Sequence, residues 1–329
     1  VSTPSSSPRP SPTHGYRIGV VGIEGGWSTE RLLDAVEAQT GFRRLIEMQD
    51  VALDLQTGRL VHCGFDLGEL DGLIVKKIAR EYSPDALDRV EMLRVLADAG
   101  VRVFSRPEAM MTLIDRLSCT IKLRLGQIPM PPTVITESID EALAAITRFG
   151  AVVAKPLYTS KARGMLILRQ VGSDHPGAPA SEAELRAQIE AFARDNPVMY
   201  LQQLLDIPGR DLGVVFLGGE YLATYARVRG ASWSTSTSKG GKYQPHEPSE
   251  EVIALARRAQ ALFELDFTCV DVVETEEGPK VFEVSAFGGF RGLLHACDID
   301  AAARYVDHAL RVLARERPHD SSDAVVSHG

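Results

Sequence analysis

Val270-Asp271-Val272-Val273 … Lys280-Val281-Phe282-Glu283-Val284-Ser285, two apolar runs carrying acidic residues and joined through Glu276-Glu277-Gly278, decides how the rest of the chain is read. Side chains alternate between the two faces of a strand. Glu283 and Ser285 therefore share one face, and Phe282, Val284 and Ala286 take the other. If the hairpin pairs in register, Asp271 stands beside Glu283. Two carboxylates on neighbouring strands are hard oxygen donors, the kind magnesium accepts while water and phosphate oxygens complete its shell. Acidic residues on a solvated hairpin face would give the same pattern, so the surrounding sequence has to decide.

Three other stretches carry chemistry. Ala151-Val152-Val153-Ala154-Lys155-Pro156 is an apolar strand with one charge at its end. A lysine in that place is costly unless it meets an anion. The following Leu157–Gly164 is polar, contains Lys161 and Arg163 and ends in glycine, so its backbone N–H groups can cradle phosphate. No GxxxxGK[ST] loop occurs. A strand-end lysine beside a plain hairpin loop is the other reading. Leu201-Gln202-Gln203-Leu204-Leu205 … Gly209-Arg210-Asp211 offers a strand edge to a purine and a carboxylate to ribose hydroxyls, or simply a turn with a salt bridge. Arg227-Val228-Arg229, then Ser234 to Gly241, is basic, hydroxyl-rich and glycine-ended, suited to clamping phosphate or carboxylate, or to a flexible loop.

The chain has 329 residues, enough for about two to three domains. Its net charge of −8 argues against general nucleic-acid binding, which needs a basic surface. Cys63, Cys119, Cys269 and Cys297 form no CxxC pair, so reduced, buried thiols in a cytoplasmic protein are expected. Residues 1–14, VSTPSSSPRPSPTH, read as a disordered tail without a secretory h-region, and 318–329 as a second one. No apolar run is long enough for a membrane helix.

The order of elements predicts three parts. Residues 15–107 read as an α/β domain with a largely parallel sheet. It holds a strand at Tyr16–Val21, a helix capped by Ser28, a hairpin around Thr57-Gly58, a strand Leu73-Ile74-Val75 ending in Lys76-Lys77, a helix over Pro84–Gly100 and a strand at Val101–Phe104. Residues 108–199 read as a small α+β lid. It opens with one long helix, Glu108–Leu125, and its later helices are capped by Ser138-x-x-Glu141 and Ser181-x-x-Glu184. Residues 200–317 read as antiparallel hairpins with helices at Ser249–Leu265 and Ala301–Ala314. Lys76 and Lys77 end a buried strand, where α/β sheets bind ligands. Lys77 is the better candidate of the two for a substrate carboxylate, and Arg291, after Gly288-Gly289 and before a helix, is another.

In this order, from about Tyr16 to Arg311, the motifs resemble the ATP-grasp superfamily, most closely its RimK-like carboxylate–amine ligases. The family's xxRDK helix matches Met111 to Arg116, with Arg116 in place of lysine. Its VVxKP strand matches Val152–Pro156. Its hinge matches Gln202, Gln203 and Leu204, followed by Gly209-Arg210-Asp211. Its RxNxxxGG loop matches Arg227 to Gly241, with Ser236 in place of asparagine. Its D…ExN metal signature matches Asp271 … Glu283-Val284-Ser285, with Ser285 in place of asparagine. Gly213 stands where the family commonly has arginine, and Phe287-Gly-Gly-Phe-Arg291 replaces its SPGL segment. These departures resemble a divergent branch encoded beside a kinase-related protein.

The resemblance implies an ATP-grasp fold: a pre-ATP-grasp α/β domain and two α+β subdomains that hold the nucleotide between them. It implies ATP bound by Arg116, Lys155, Lys161, Gln202, Gln203, Leu204, Asp211 and Ser236. Magnesium, or manganese, would be held by Asp271, Glu283 and Ser285. Catalysis would rest on Lys155 and Arg227, and the substrate would meet Lys77, Arg229 and Arg291. The implied reaction is ADP-forming ligation of a carboxylate to an amine such as glutamate, through an acylphosphate. The acceptor is a small molecule or a protein or peptide, without nucleic acid or membrane; self-association is left open. An ATP-binding regulatory protein with weakened catalysis, or a small-molecule kinase, would carry the same motifs.

Overall fold

The computed structural model describes residues 15–159, 162–230, 235 and 240–316. Both expected tails, Lys161 and Ser236 lie outside the described residues.

The first part runs β1 (Ile18–Val21), α1 (Trp27–Thr40), β2 (Leu45–Ile46), β3 (Val51–Asp54), β4 (Arg59–His62), β5 (Phe65–Asp66), β6 (Gly72–Val75), α2 (Asp85–Asp98) and β7 (Arg102–Phe104). Strands β2-β1-β6-β7 form a parallel sheet, and β3-β4-β5 a separate antiparallel one. Every residue of β1 and β6 is buried, as a strand covered on both faces requires. Helix α1 starts two residues earlier than a cap at Ser28 implies. Gly26 is its cap, without a side-chain bond, so the expected Ser28 cap is not formed.

The single helix expected over Glu108–Leu125 is two: α3 (Pro107–Ile114) and α4 (Arg116–Leu125). Asp115 breaks them. Its backbone is extended (φ −81°, ψ 107°) and its carboxylate accepts the N–H of Leu117 at 3.1 Å. An aspartate side chain competes for backbone donors in this way, which favours a cap over a helix interior. The break makes Arg116 the first residue of α4, and its side chain is buried.

The lid follows: β8 (Thr133–Thr136), α5 (Ile139–Phe149), β9 (Ala151–Lys155), β10 (Leu166–Arg169), α6 (Glu182–Asp195) and β11 (Met199–Gln203). Ser138 and Ser181 accept the N–H groups of Glu141 and Glu184, as their spacing predicts. The four strands form one antiparallel sheet, β10-β9-β11-β8, with its own apolar core around Ile146, Val152 and Leu201. Strand β11 therefore pairs with the lid, and the expected division at 199/200 falls inside it.

The last part is β12 (Arg210–Leu217), β13 (Glu220–Val228), β14 (Lys242–Pro245), α7 (Glu250–Ala261), β15 (Phe267–Thr275), β16 (Gly278–Ser285), α8 (Phe290–Cys297) and α9 (Ala301–Glu316). Its sheet order is β14-β13-β12-β15-β16, all antiparallel. Helix α9 returns to the first part: Tyr305, Val306 and Ala309 share one core with Ile18, Leu32 and Val36. Of the free cysteines, Cys119 and Cys269 are buried and Cys297 is half-buried, but Cys63 is exposed on a turn at φ 49°. Among the described residues no helix is long and apolar enough to cross a membrane.

Candidate active site

The hairpin β15–β16 sets Asp271 directly opposite Glu283, as in-register pairing requires. A bulge then intervenes: Val272 pairs with Val281, and Phe282 has no partner. The bulge breaks the expected alternation. Phe282 joins Glu283 on the wall of a central cavity, with the Lys155 ammonium 5.5 Å from its ring centre. Ser285 closes the strand, and its Oγ accepts the N–H of Phe287 at 3.4 Å.

Strands β12 and β13 bring two more charges to the same face. Asp211 pairs with Arg227, and Gly213 pairs with both Asp271 and Tyr225. The Arg227 Nε donates to both oxygens of Asp211, at 3.2 and 3.1 Å, and Nη2 bridges Asp211 and Asp271, 2.9 Å from the latter. Asp211, read from sequence as a ribose contact, is thus half of a buried ion pair. Arg227, read as a phosphate clamp, is shared between two carboxylates. Burial raises the Asp271 pKa to about 6 against the pull of Arg227. Burial would lower that of Arg227, but Asp211 and Asp271 hold it well above the usual arginine range.

The lid faces this floor. Lys155 Nζ donates to Gln202 Oε1 at 2.6 Å, and Gln202 Nε2 donates to Thr133 Oγ1 and the Tyr200 hydroxyl, both at 3.2 Å. Burial, with Arg116 adding repulsion, lowers the Lys155 pKa to about 7. Gln202 is therefore a buried holder of Lys155, not an open strand edge. The backbone N–H of Gln203 is taken by Pro132 O at 2.8 Å and that of Leu204 by Ala151 O at 2.9 Å. The first amide beyond this ladder is that of Leu205.

From the first part, Lys76 and Lys77 reach the cavity at the end of β6. Lys76 is the more buried, the reverse of what Lys76-Lys77 suggested. Its ammonium donates to Phe287 O and lies 3.9 Å from the Phe290 ring centre, and burial lowers its pKa to about 7. Arg229 and Arg291 are exposed at the rim, Arg291 with its guanidinium 4.8 Å from the Trp27 ring centre.

All candidate site residues that are described line this one cavity of about 1210 Å³. Among the described residues ten Lys and Arg line it against four Asp and Glu, so a chain of net charge −8 keeps a cationic interior. Tyr225 is a wall residue the motifs did not indicate. Its ring fills the space over Gly213 and Gly292, where an added Cβ at either position would overlap it. Glycine at 213, two residues past Asp211 on a strand, was the available signal.

The donor set fits a hard divalent cation. Asp271, Glu283 and Ser285 offer oxygen atoms only. Among the described residues one guanidinium is shared by two buried carboxylates, Asp211 and Asp271. Among the described residues no group of three or more His, Cys, Asp or Glu gathers as a metal cluster, so phosphate oxygens and water would complete the shell.

Three sheets around one cationic cavity, with a lysine strand facing a carboxylate hairpin, are the layout of an enzyme that activates a carboxylate with ATP. Residues 113–309 match the RimK-like ATP-grasp domain, and the chain belongs to that family. It is 24% identical to the tetrahydromethanopterin:alpha-L-glutamate ligase of Methanosarcina acetivorans, over 87% of this chain and 96% of that protein. It is also 24% identical to the glutamate–LysW ligase ArgX of Sulfurisphaera tokodaii, over 65% of this chain and 74% of that one. The solved ATP-grasp ligase PsnB, complexed with a phosphomimetic variant of minimal precursor, Mg and ADP, has a similar fold. The TM-score is 0.67 at 19% identity, covering 91% of this chain and 98% of PsnB. The activity is that of an ATP-dependent, ADP-forming carboxylate–amine ligase, and enzymes of this fold use ATP with magnesium.

Proposed function

We propose that the chain joins the amine of L-glutamate to the carboxylate of an anionic acceptor, either a small molecule or the end of a peptide or carrier protein. The observation that carries this reading is the cationic cavity in which lid, hairpin and first part meet. Its charge exceeds what a nucleotide triphosphate with a divalent cation would neutralise. Glutamate enters from the names of the glutamate ligases to which the chain is similar.

In this reading the purine lies against the β11 edge, with Leu204 and the Leu205 amide at its rim. Arg116 and Lys155 lie along the phosphates; Lys161 and Ser236, outside the described residues, are proposed as further nucleotide contacts. Magnesium, or manganese on the same donors, would be held by Asp271 and Glu283 with Ser285 beside them, and supplies charge neutralisation of the phosphates. Asp211 aims Arg227 at the transferring phosphoryl group. Lys77, Arg229 and Arg291 receive the carboxylates of the acceptor and of glutamate. A carboxylate oxygen attacks the γ-phosphorus and ADP leaves. The amine, having lost a proton, then attacks the acyl carbon and phosphate leaves. Phosphoryl transfer asks mainly for positioning and charge neutralisation, which these residues supply. Closure of the lid keeps water from the acylphosphate.

Incubation with Mg-ATP, L-glutamate and a panel of di- and tricarboxylates is expected to release phosphate only with the proper acceptor, together with an amide by mass spectrometry. A phosphorylated acceptor without amide, or tight Mg-ATP binding with no turnover across a broad panel, would count against ligation of glutamate.

Lys155 supplies a pH signature. Its pKa of about 7 lies below the usual lysine value of 10.5, so between these limits the unfolded chain binds the extra proton and stability rises with pH. Phosphates beside it restore the charged form. Nucleotide binding at pH 8 is therefore expected to take up a proton, and affinity to fall between pH 7 and 9 by up to about tenfold per unit. Calorimetry in buffers of different ionisation enthalpy reads this directly. Lys155→Met should abolish the uptake; unchanged uptake in that variant would assign the proton elsewhere.

A further inference from the structure

Among the described residues Arg116 donates hydrogen bonds to three acceptors. Its Nη1 donates to Glu283 Oε2 at 3.1 Å, its Nε to Pro156 O at 3.2 Å and its Nη2 to Thr159 O at 3.1 Å. Its side chain is only 8% exposed. The two hairpin carboxylates are thus held unequally. Asp271 shares one guanidinium with Asp211, whereas Glu283 has Arg116 directly against it. A cation entering the hairpin meets one shared guanidinium at Asp271 but finds Glu283 Oε2 already taken by Arg116.

A displaced Arg116 cannot stay where it is. It is buried beside Lys155, whose own charge it already disfavours. A buried cation parted from its carboxylate is strongly unfavourable unless another anion takes it. Nucleotide phosphates supply that anion in the same cavity, and a guanidinium fork suits phosphate oxygens. We infer that Arg116 is a positioning residue that occupies Glu283 in place of the divalent cation, and surrenders it only when nucleotide phosphates accept the guanidinium. Cation and nucleotide then bind as a coupled pair, each raising the affinity of the other by the same factor. Because Arg116 also holds the Pro156 and Thr159 carbonyls, its swing draws this stretch after β9 along with it. The inference rests on the assignment of Asp271 and Glu283 to the cation.

The test uses the whole chain and Mn2+ as the probe, with free Mn2+ read by electron paramagnetic resonance and ADP affinity by calorimetry with and without Mn2+. Wild type is expected to bind Mn2+ alone weakly and to bind ADP at least about tenfold more tightly when Mn2+ is present. Arg116→Met should bind Mn2+ alone about tenfold more tightly than wild type, bind ADP more weakly, and lose most of the coupling. Arg116→Lys keeps the charge but cannot span both carbonyls and the carboxylate, so it should fall between the two, and it stands in if the methionine variant does not fold. Mn2+ affinity in both variants equal to or below that of wild type would overturn the inference. Glu283→Gln separates the underlying assignment. If that variant binds Mn2+ with ADP as wild type does, the hairpin is not the cation site, whatever Arg116 does.

Discussion

Glu283→Gln is expected to lower ATP-dependent amide formation on the order of a thousandfold, the scale of losing a transition-state electrostatic contact, with a smaller loss of stability because the buried Arg116 loses its charged partner. The substitution keeps the shape of the side chain and removes only its charge. Glu283 lies on the cavity wall with its side chain 40% exposed, and an amide oxygen in its place can still accept from Arg116, so the fold depends on it far less than the reaction does. Glu283 is the residue set opposite Asp271, and both carboxylates are needed to hold a cation between phosphates. Phosphate release gives the rate and a thermal melt gives the control. Wild-type turnover in this variant would remove the hairpin from the mechanism.

Arg227→Met is the opposite case, and the second large effect. It leaves Asp211 and Asp271, with side chains 5% and 20% exposed, without their guanidinium. Removing one partner of a buried ion pair costs about 3–5 kcal/mol, because an uncompensated charge remains. Asp271, already raised by burial and held down by Arg227, would then protonate still more readily when folded than when unfolded. A carboxylate whose folded pKa is raised binds the extra proton in the native state, so stability falls as pH rises. The variant's deficit in urea denaturation should therefore widen from pH 5 to pH 8. Adding Asp271→Asn should recover part of it. A deficit independent of pH would mean that packing, not charge, is what Arg227 supplies.

The contrast between these two residues marks what was legible in the sequence. The strands and most helix starts could be read because each depends on local chemistry: short apolar runs in β15 and β16, and serine caps at Ser138 and Ser181. Bringing Lys155, Asp211, Arg227, Asp271 and Glu283 to one cavity followed from motif order. What each residue holds did not, because it depends on cross-strand neighbours that no local pattern specifies. Arg227 meets Asp211 because β12 and β13 pair in that register. Gln202 meets Lys155 because their strands β11 and β9 lie side by side. Asp115 was missed as a break because its cap competes with a good helical pattern on either side. The bulge at Phe282 was hidden because one extra residue leaves no mark in composition. Lys76 and Lys77 look alike in sequence, and the fold sets Lys76 apart by burying it against Phe290 and the Phe287 carbonyl.

The lid's private core has a further consequence. Ile146, Val152, Leu185 and Leu201 pack with one another in a cluster separate from the two that unite the rest of the chain. A body that keeps its own interior can swing away without exposing it, much as a hinged jaw keeps its shape when open. Among the described residues its ties across the cavity include the bonds from Arg116 to Pro156 and Thr159 and the packing of Tyr158 against the main core. Opening therefore leaves the lid's own core intact, and the jaw can cycle on the microsecond-to-millisecond scale typical of such motions. The exit of ADP, not the making of the amide bond, then has the means to govern the pace of turnover.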